Sequence, residues 1–317
     1  MLDNYGEVDA VFDKSYDPVI VPISDFLSQE FPPRELILDP WLPSQGLAMI
    51  HAPRGIGKTH VALNIAYAVA SGRSFLGWRV PHPVGVLFLD GEMPASALQE
   101  RLEAIVSTNG MEPSAPFNLF TPDMQPKDRA AFNIGVLEDQ DALEPYLKGV
   151  VLILVDNIAT LCRTGKENEA ESWTPIQEWA LRQRAAGRSV LFIHHSGKGG
   201  QQRGTSSRED VLDTIINLKR PSNYEADQGA RFEIHFEKAR GFYGEDSRPL
   251  EVALVTDERG KQEWTVMPLE DSVYEQVITL YQAGLKQWEI AEEIGLDKSG
   301  VSRKITRARQ EGRIHGK

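Results

Sequence analysis

Short, wholly apolar runs alternate along the middle of the chain with stretches in which apolar residues return every three or four positions. Strands and helices are therefore predicted to follow one another from Leu47 to about Pro268. Residues 47–51, 84–90, 150–156 and 189–194 read as strands, and 150–156 is apolar up to its final Asp156, as strands in the middle of a parallel sheet are. Val61, Leu63, Ile65, Ala66 and Val69 mark a helix that stops at Gly72, and Pro94 opens another with Leu98, Leu102, Ile105 and Val106 on one face as far as Gly110. A third helix is predicted over 175–186, and further strands over 212–218, 232–237 and 250–255. Residues 111–137 carry little pattern and read as a long loop. The expected fold class is α/β, a mostly parallel sheet flanked by helices.

The two ends depart from this pattern. Residues 1–34 are acidic, contain four prolines (Pro18, Pro22, Pro32, Pro33) and show no sustained period, so they read as an arm or linker. Residues 35–268 form the α/β domain. From Ser272 the pattern turns helical, and 271–317 reads as a separate small domain. Val273, Val277, Ile278 and Leu280 belong to one helix ending at Gly284, and two shorter helices follow around the Gly295 turn. Ile290, Ile294, Val301 and Ile305 supply a core and Ala291 a small residue at the crossing, which is the pattern of a helix-turn-helix; Glu311 to Ile314 resembles the start of a wing.

Composition narrows the class. With 41% hydrophobic and 25% charged residues, the 317-residue chain has the make-up of a soluble globular protein. Its single cysteine, Cys162, excludes an internal disulfide, and it contains neither a signal-peptide pattern nor an apolar run of about 20 residues, so a cytoplasmic protein without membrane contact is expected. The net charge of −12 argues against nucleic acid until its distribution is seen. Acid gathers near the N-terminus, whereas Lys298, Arg303, Lys304, Arg307, Arg309, Arg313 and Lys317 oppose only Glu311 in the tail.

The chemistry begins with Ala52-Pro53-Arg54-Gly55-Ile56-Gly57-Lys58-Thr59, set between a predicted strand and a predicted helix. Such a loop turns backbone N–H groups and a helix N-terminus onto phosphates, Lys58 reaches the β and γ groups, and Thr59 offers a hydroxyl to magnesium. ATP and Mg2+ are the expected ligands. Ala52 stands where the pattern has glycine. Asp156 ends an apolar strand at the same sheet edge, suited to organising magnesium, with a helix-capping role as the alternative. Asp90 and Glu92 end the preceding strand; Glu92 is the candidate general base, and capping is again the alternative. His194 and His195 end a third strand and are candidates to sense the γ-phosphate. Lys198 and Arg203 lie in the polar, Gly-rich segment that follows, which suits either a nucleic-acid backbone or solvent. In the tail, Lys298, Ser299, Ser302 and Arg303 fall where a recognition helix meets base edges, with Arg307 and Arg309 nearer phosphates; docking on protein is the alternative.

Together these positions resemble the RecA-type ATPase core, and within it the RepA-like and DnaB-like hexameric helicases of plasmids, prophages and other mobile elements. The resemblance spans roughly residues 36–268. It implies that Glu92 activates water, that His195 senses the γ-phosphate with His194 adjacent, and that the segment from Gly199 is a loop binding single-stranded DNA in a ring channel. It also implies that Lys238 and Arg240, in Phe236-Glu237-Lys238-Ala239-Arg240-Gly241, reach into a neighbouring subunit's ATP site, so that the chain forms a homo-oligomer, a hexamer by analogy. The helix-turn-helix would bind duplex DNA. A DNA-binding regulator or initiator controlled by ATP, without unwinding, is the rival expectation.

Overall fold

Strands that are hydrophobic on both faces are stable only under helices on both sides, and here they pair into one nine-stranded sheet covered in that way. The structure, a computed structural model, describes residues 18–128, 130–163, 173–196, 209–258 and 261–314. The chain divides into two units, Met1–Pro33 and Arg34–Lys317. The described part of the first holds one short helix, α1 (Ile23–Leu27), with the Phe26 and Phe31 rings 5.1 Å apart.

The second unit opens with a two-stranded ribbon, β1 (Leu36–Leu38) and β2 (Leu42–Pro43), followed by β3 (Leu47–Ala52), α2 (Lys58–Ser71), β4 (Gly85–Asp90) and α3 (Ala95–Asn109). Next come β5 (Phe117–Phe120), α4 (Leu137–Leu143), β6 (Val150–Asp156), α5 (Ile158–Leu161), α6 (Thr174–Ala185) and β7 (Ser189–His195). The sheet is completed by β8 (Thr214–Lys219), β9 (Arg231–Ala239), β10 (Leu250–Thr256) and β11 (Gln262–Pro268), and the chain continues into α7 (Leu269–Gln282), α8 (Gln287–Glu293) and α9 (Lys298–Gln310). Across the sheet the order is β11-β10-β9-β8-β3-β7-β6-β4-β5. From β8 to β5 the neighbours are parallel, whereas β9, β10 and β11 add an antiparallel flank. This is the RecA-like α/β arrangement that the sequence led us to expect.

Alternation along β3 shows why one strand serves two cores: Ala48, Ile50 and Ala52 pack with Val61 and Ile65 of α2, while Leu47 and Met49 join Ile176 and Trp179 of α6. No helix among the described residues is long and apolar enough to cross a membrane.

Three differences from the sequence reading have simple causes. Residues 111–137, read as a loop, contain β5, an edge strand of four residues too short to show a period. The hairpin partner β11 was missed because its largely exposed residues lack an apolar run. The three C-terminal helices have their own core, including Val277, Ile290, Val301 and Ile305, but residues 311–314 form turns, with no wing strand among the described residues.

Candidate nucleotide site

β3 delivers the chain to the sheet's C-terminal edge at Ala52, and α2 begins six residues later at Lys58, so the loop between them faces the helix N-terminus. Ala52 still belongs to β3, in register with His195, and its methyl is buried in the core; the departure from glycine is absorbed there. Ile56 is buried and anchors the loop, while Arg54 is exposed. Gly57 has φ 120°, a left-handed value, and a methyl on it would lie 3.4 Å from Ala230 Cβ and 3.5 Å from the Phe232 ring. The loop is therefore packed against the start of β9.

Lys58 Nζ donates to the carbonyls of Ala52 (3.0 Å) and Pro53 (2.9 Å). Burial pulls its pKa down to about 8, against the opposing pull of the Asp156 and Glu92 charges. An ammonium held at such a cost gains from an added polyanion.

Sheet register sets the acids. Asp90 on β4 lies opposite Asp156 on β6, one strand pair from the end of β7. Gly91 then turns the chain: its N–H donates to the Asp156 carbonyl at 2.8 Å, and a methyl on it would fall 2.5 Å from Thr160 Oγ1. Only glycine fits, and this turn sends Glu92 back over the edge. Asn157 Nδ2 donates to Glu92 Oε2 and lies 3.3 Å from His195 Nε2, which is itself 3.5 Å from Glu92 Oε2. Glu92, Asn157 and His195 thus form one cluster beside Lys58. Burial, aided by the Lys58 charge, lowers the His195 pKa below its usual 6.5, so the ring is neutral at neutral pH. Asp90 instead accepts from the Met93 N–H at 3.1 and 3.3 Å, which fixes the turn before α3; the N-cap of that helix is Pro94 and no side chain caps it, so neither acid of this pair takes the capping role. His194 is fully buried and, as the neighbouring residue on β7, projects from the other face of the strand, outside the cluster.

Asp156 fits a cation site. It is buried, its pKa is raised to about 6 chiefly by that burial, and the Thr59 hydroxyl hydrogen-bonds it. Its Oδ2 is buried without a hydrogen-bond partner among the described residues. No group of three or more His, Cys, Asp or Glu side chains among those residues is arranged to hold a metal. One hydroxyl and one carboxylate suit Mg2+, which usually takes few protein oxygens and completes its shell with phosphate and water.

Besides Asn157, two features went unread in the sequence. Arg220, just past β8, donates to Gly55 O (2.7 Å), Gly229 O (3.1 Å) and Arg231 O (3.3 Å), with its guanidinium 3.6 Å above the Tyr224 ring. The basic pair Lys219-Arg220, between a predicted strand and Pro221, was the available signal. His51 on β3 lies 2.8 Å from both Ser196 Oγ and Glu237 Oε2, and Glu237 Oε1 accepts from Asn217 Nδ2 at 2.6 Å. A histidine inside an apolar strand does not reveal partners 145 and 186 residues away.

Lys238 and Arg240 lie at the opposite edge of the sheet. Lys238 pairs with Ile215, and the Arg240 N–H donates to the carbonyl of Asp213, whose own N–H donates to Leu47 at the start of β3. At about 3.3 Å per residue, the length of β3 separates that edge from the phosphate loop by roughly 17 Å. Lys238 Nζ donates to Glu209 O and Arg240 Nη2 to Asp210 O at 3.3 Å, so neither cation serves its own chain's loop. Lys198 and Arg203 lie outside the described residues.

On α9, Lys298 and Arg303 are exposed and make no ion pair among the described residues, while Ser302 is half-buried and Ser299 donates to Asp297 at 3.1 Å. Arg307 and Arg309 are also exposed, but each has partners within the tail. Arg307 donates to Glu311 at 2.8 Å and stacks 4.4 Å from the Tyr274 ring centre, and Arg309 donates to the Tyr281 hydroxyl at 2.8 Å. With this geometry in place, the comparison with known families is specific: a family model described as an AAA domain matches residues 16–201, more than half of the chain.

Proposed function

The chain belongs to the AAA-domain family and is a P-loop ATPase by type; on that footing we propose that it is an ATP-hydrolysing, DNA-binding RepA-like replicative helicase, or a helicase-related replication protein, of a mobile element. The Glu92–Asn157–His195 cluster beside Lys58 is the observation that carries this reading. Backbone N–H groups from Gly55 to Thr59 and the Lys58 ammonium bind the phosphates and orient the γ group. Thr59 and Asp156 would hold Mg2+, which would supply neutralisation of charge on the phosphate oxygens. Glu92 accepts a proton from the attacking water, Asn157 fixes the carboxylate that does so, and neutral His195 hydrogen-bonds the γ-phosphate. Lys238 and Arg240 act across a subunit interface, which requires a ring, taken as a hexamer. Single-stranded DNA passes its channel against the segment holding Lys198 and Arg203, and α9 meets duplex through Lys298, Ser299, Ser302 and Arg303 at base edges, with Arg307 and Arg309 nearer phosphates.

A second reading, an ATP-controlled DNA-binding regulator without unwinding, is favoured by the side-chain hydrogen bond that ties α7 to the ATPase sheet. Strand displacement on a forked duplex, run beside phosphate release with and without single-stranded DNA, separates the two. Unwinding supports the helicase; DNA-responsive hydrolysis with no displaced strand supports the regulator; no hydrolysis in any condition overturns both.

A further inference from the structure

A continuous line of polar contacts leads from the phosphate loop to the C-terminal helices. Arg220 holds the loop through Gly55 O and, with the same guanidinium, holds the Arg231 carbonyl. Arg231 turns its own guanidinium onto Glu251 Oε1, with Nε at 2.8 Å and Nη2 at 2.7 Å. Glu251 is 9% exposed, and its second oxygen accepts from the hydroxyl of Ser272, which is 4% exposed in the first turn of α7. Gln276, one turn on, donates to the same hydroxyl at 3.3 Å. Packing runs beside the hydrogen bonds, since Gly57 abuts Ala230 and Phe232 at the start of β9.

A buried ion pair is weak evidence of stability, because apolar residues of similar volume often do as well in its place. Its oxygens here have two different duties. One holds the strand beside the phosphate loop, the other seats the first helix of the C-terminal unit. α7 is also the helix to which α9 is clamped, through Tyr274 to Glu311 (2.6 Å) and Arg313 to Glu275 (2.6 and 2.8 Å). A shift of α7 therefore carries the exposed, basic face of α9 with it.

We propose that the Arg220–Arg231–Glu251–Ser272 chain transmits the nucleotide state of the phosphate loop to the seating of α7, so that nucleotide and duplex DNA change each other's affinity. The inference rests on the DNA-binding reading for its DNA half only. Phosphates that take the loop N–H groups and Lys58 draw the ammonium off the Ala52 and Pro53 carbonyls and reset the Gly55 carbonyl that Arg220 grips. Arg220 moves with it, and Arg231 passes the displacement to Glu251 and Ser272. Coupling of this kind is reciprocal and typically 5- to 150-fold.

Two readouts on the full chain test it. Amide hydrogen exchange of α7 is followed with and without a non-hydrolysable ATP analogue and magnesium, and the Kd for a labelled random-sequence duplex is measured in the same two states. Wild type should show altered α7 exchange and a duplex Kd changed about fivefold or more by the analogue. Ser272→Ala, which removes one hydroxyl, and Glu251→Gln, which removes the charge, should each bring the ratio to within about twofold of one and silence the α7 response. Both should still bind the analogue in duplex-free protein, since neither residue touches the phosphate loop. Folded Ser272→Ala protein that keeps the full response overturns the proposal, as does wild-type α7 exchange indifferent to nucleotide. An α7 response without duplex binding in either state retires the DNA reading and leaves the coupling standing.

Discussion

Replacing Asp156 by asparagine removes a carboxylate that the fold holds in its disfavoured form. Burial raises the Asp156 pKa from 3.8 to about 6. That is roughly 2 units, or about 3 kcal/mol of preference for the protonated acid, at about 1.4 kcal/mol per unit. Between about pH 4 and pH 6 the folded chain keeps a proton that the unfolded chain has released, so stability falls as pH rises through this window and the full cost is present above it. Asparagine carries no charge at any of these values. The Asp156→Asn variant should exceed wild type by about 2 to 3 kcal/mol near pH 7.5 and by roughly half that near pH 5, and the two should converge near pH 4. Urea unfolding followed by tryptophan fluorescence at these values measures the difference directly. The same variant should lose the stabilisation that Mg2+ with ATP gives wild type, because Asp156 Oδ2 is no longer available as an anion. An Asp156→Asn protein that is less stable near pH 7.5, or whose advantage does not change with pH, would refute the burial argument.

Arg240→Ala should fold and bind ATP but hardly hydrolyse it, and mixing it with Lys58→Ala protein should restore partial turnover, because some interfaces then combine an intact loop with an intact Arg240. Phosphate release that does not recover after verified subunit exchange argues against action in trans. Asp213 receives Arg34 (3.0 Å), Arg184 (2.7 Å) and the Leu47 N–H (3.0 Å) on one oxygen. Asp213→Ala should cost about 2 to 3 kcal/mol, the usual penalty for breaking a buried pair reduced because both arginines are partly exposed, and chemical denaturation reads it. Arg303→Ala should weaken selective duplex binding by about 1 to 3 kcal/mol and blur one base position. Mobility shifts at two salt concentrations distinguish this from a phosphate contact, which weakens all sequences alike and flattens the salt dependence.

The strands that build the site were legible because burial on both faces leaves an unbroken apolar run, and a run ending in Asp90, Asp156 or His195 marks the sheet edge without any knowledge of the neighbours. The helices were legible through their stops: α2 and α3 end at Gly72 and Gly110, as read. β5 and β11 were not, since edge strands with half-exposed faces have no pattern that distinguishes them from loops. Within the site, strand-end residues could be named one by one, but their partners are set by register. That is why Asn157, beside Asp156, was passed over, and why His194 was grouped with His195 although adjacent strand residues face opposite ways. Arg307 and Arg309 show the same limit in the tail. Charge is visible in sequence, and so is the i,i+4 spacing of Arg307 and Glu311, whereas the contacts with Tyr274 and Tyr281 depend on how α9 lies on α7.

The central claim is that Glu92 activates water at a phosphate loop whose grip depends on Lys58. ATP affinity by calorimetry and turnover by phosphate release, measured together on Lys58→Ala and Glu92→Gln, address it most directly. Lys58→Ala should lose productive ATP binding, whereas Glu92→Gln should bind ATP like wild type and hydrolyse it about 100- to 10,000-fold more slowly, the span expected for loss of a general base. Near-normal turnover by the Glu92→Gln protein would contradict the account.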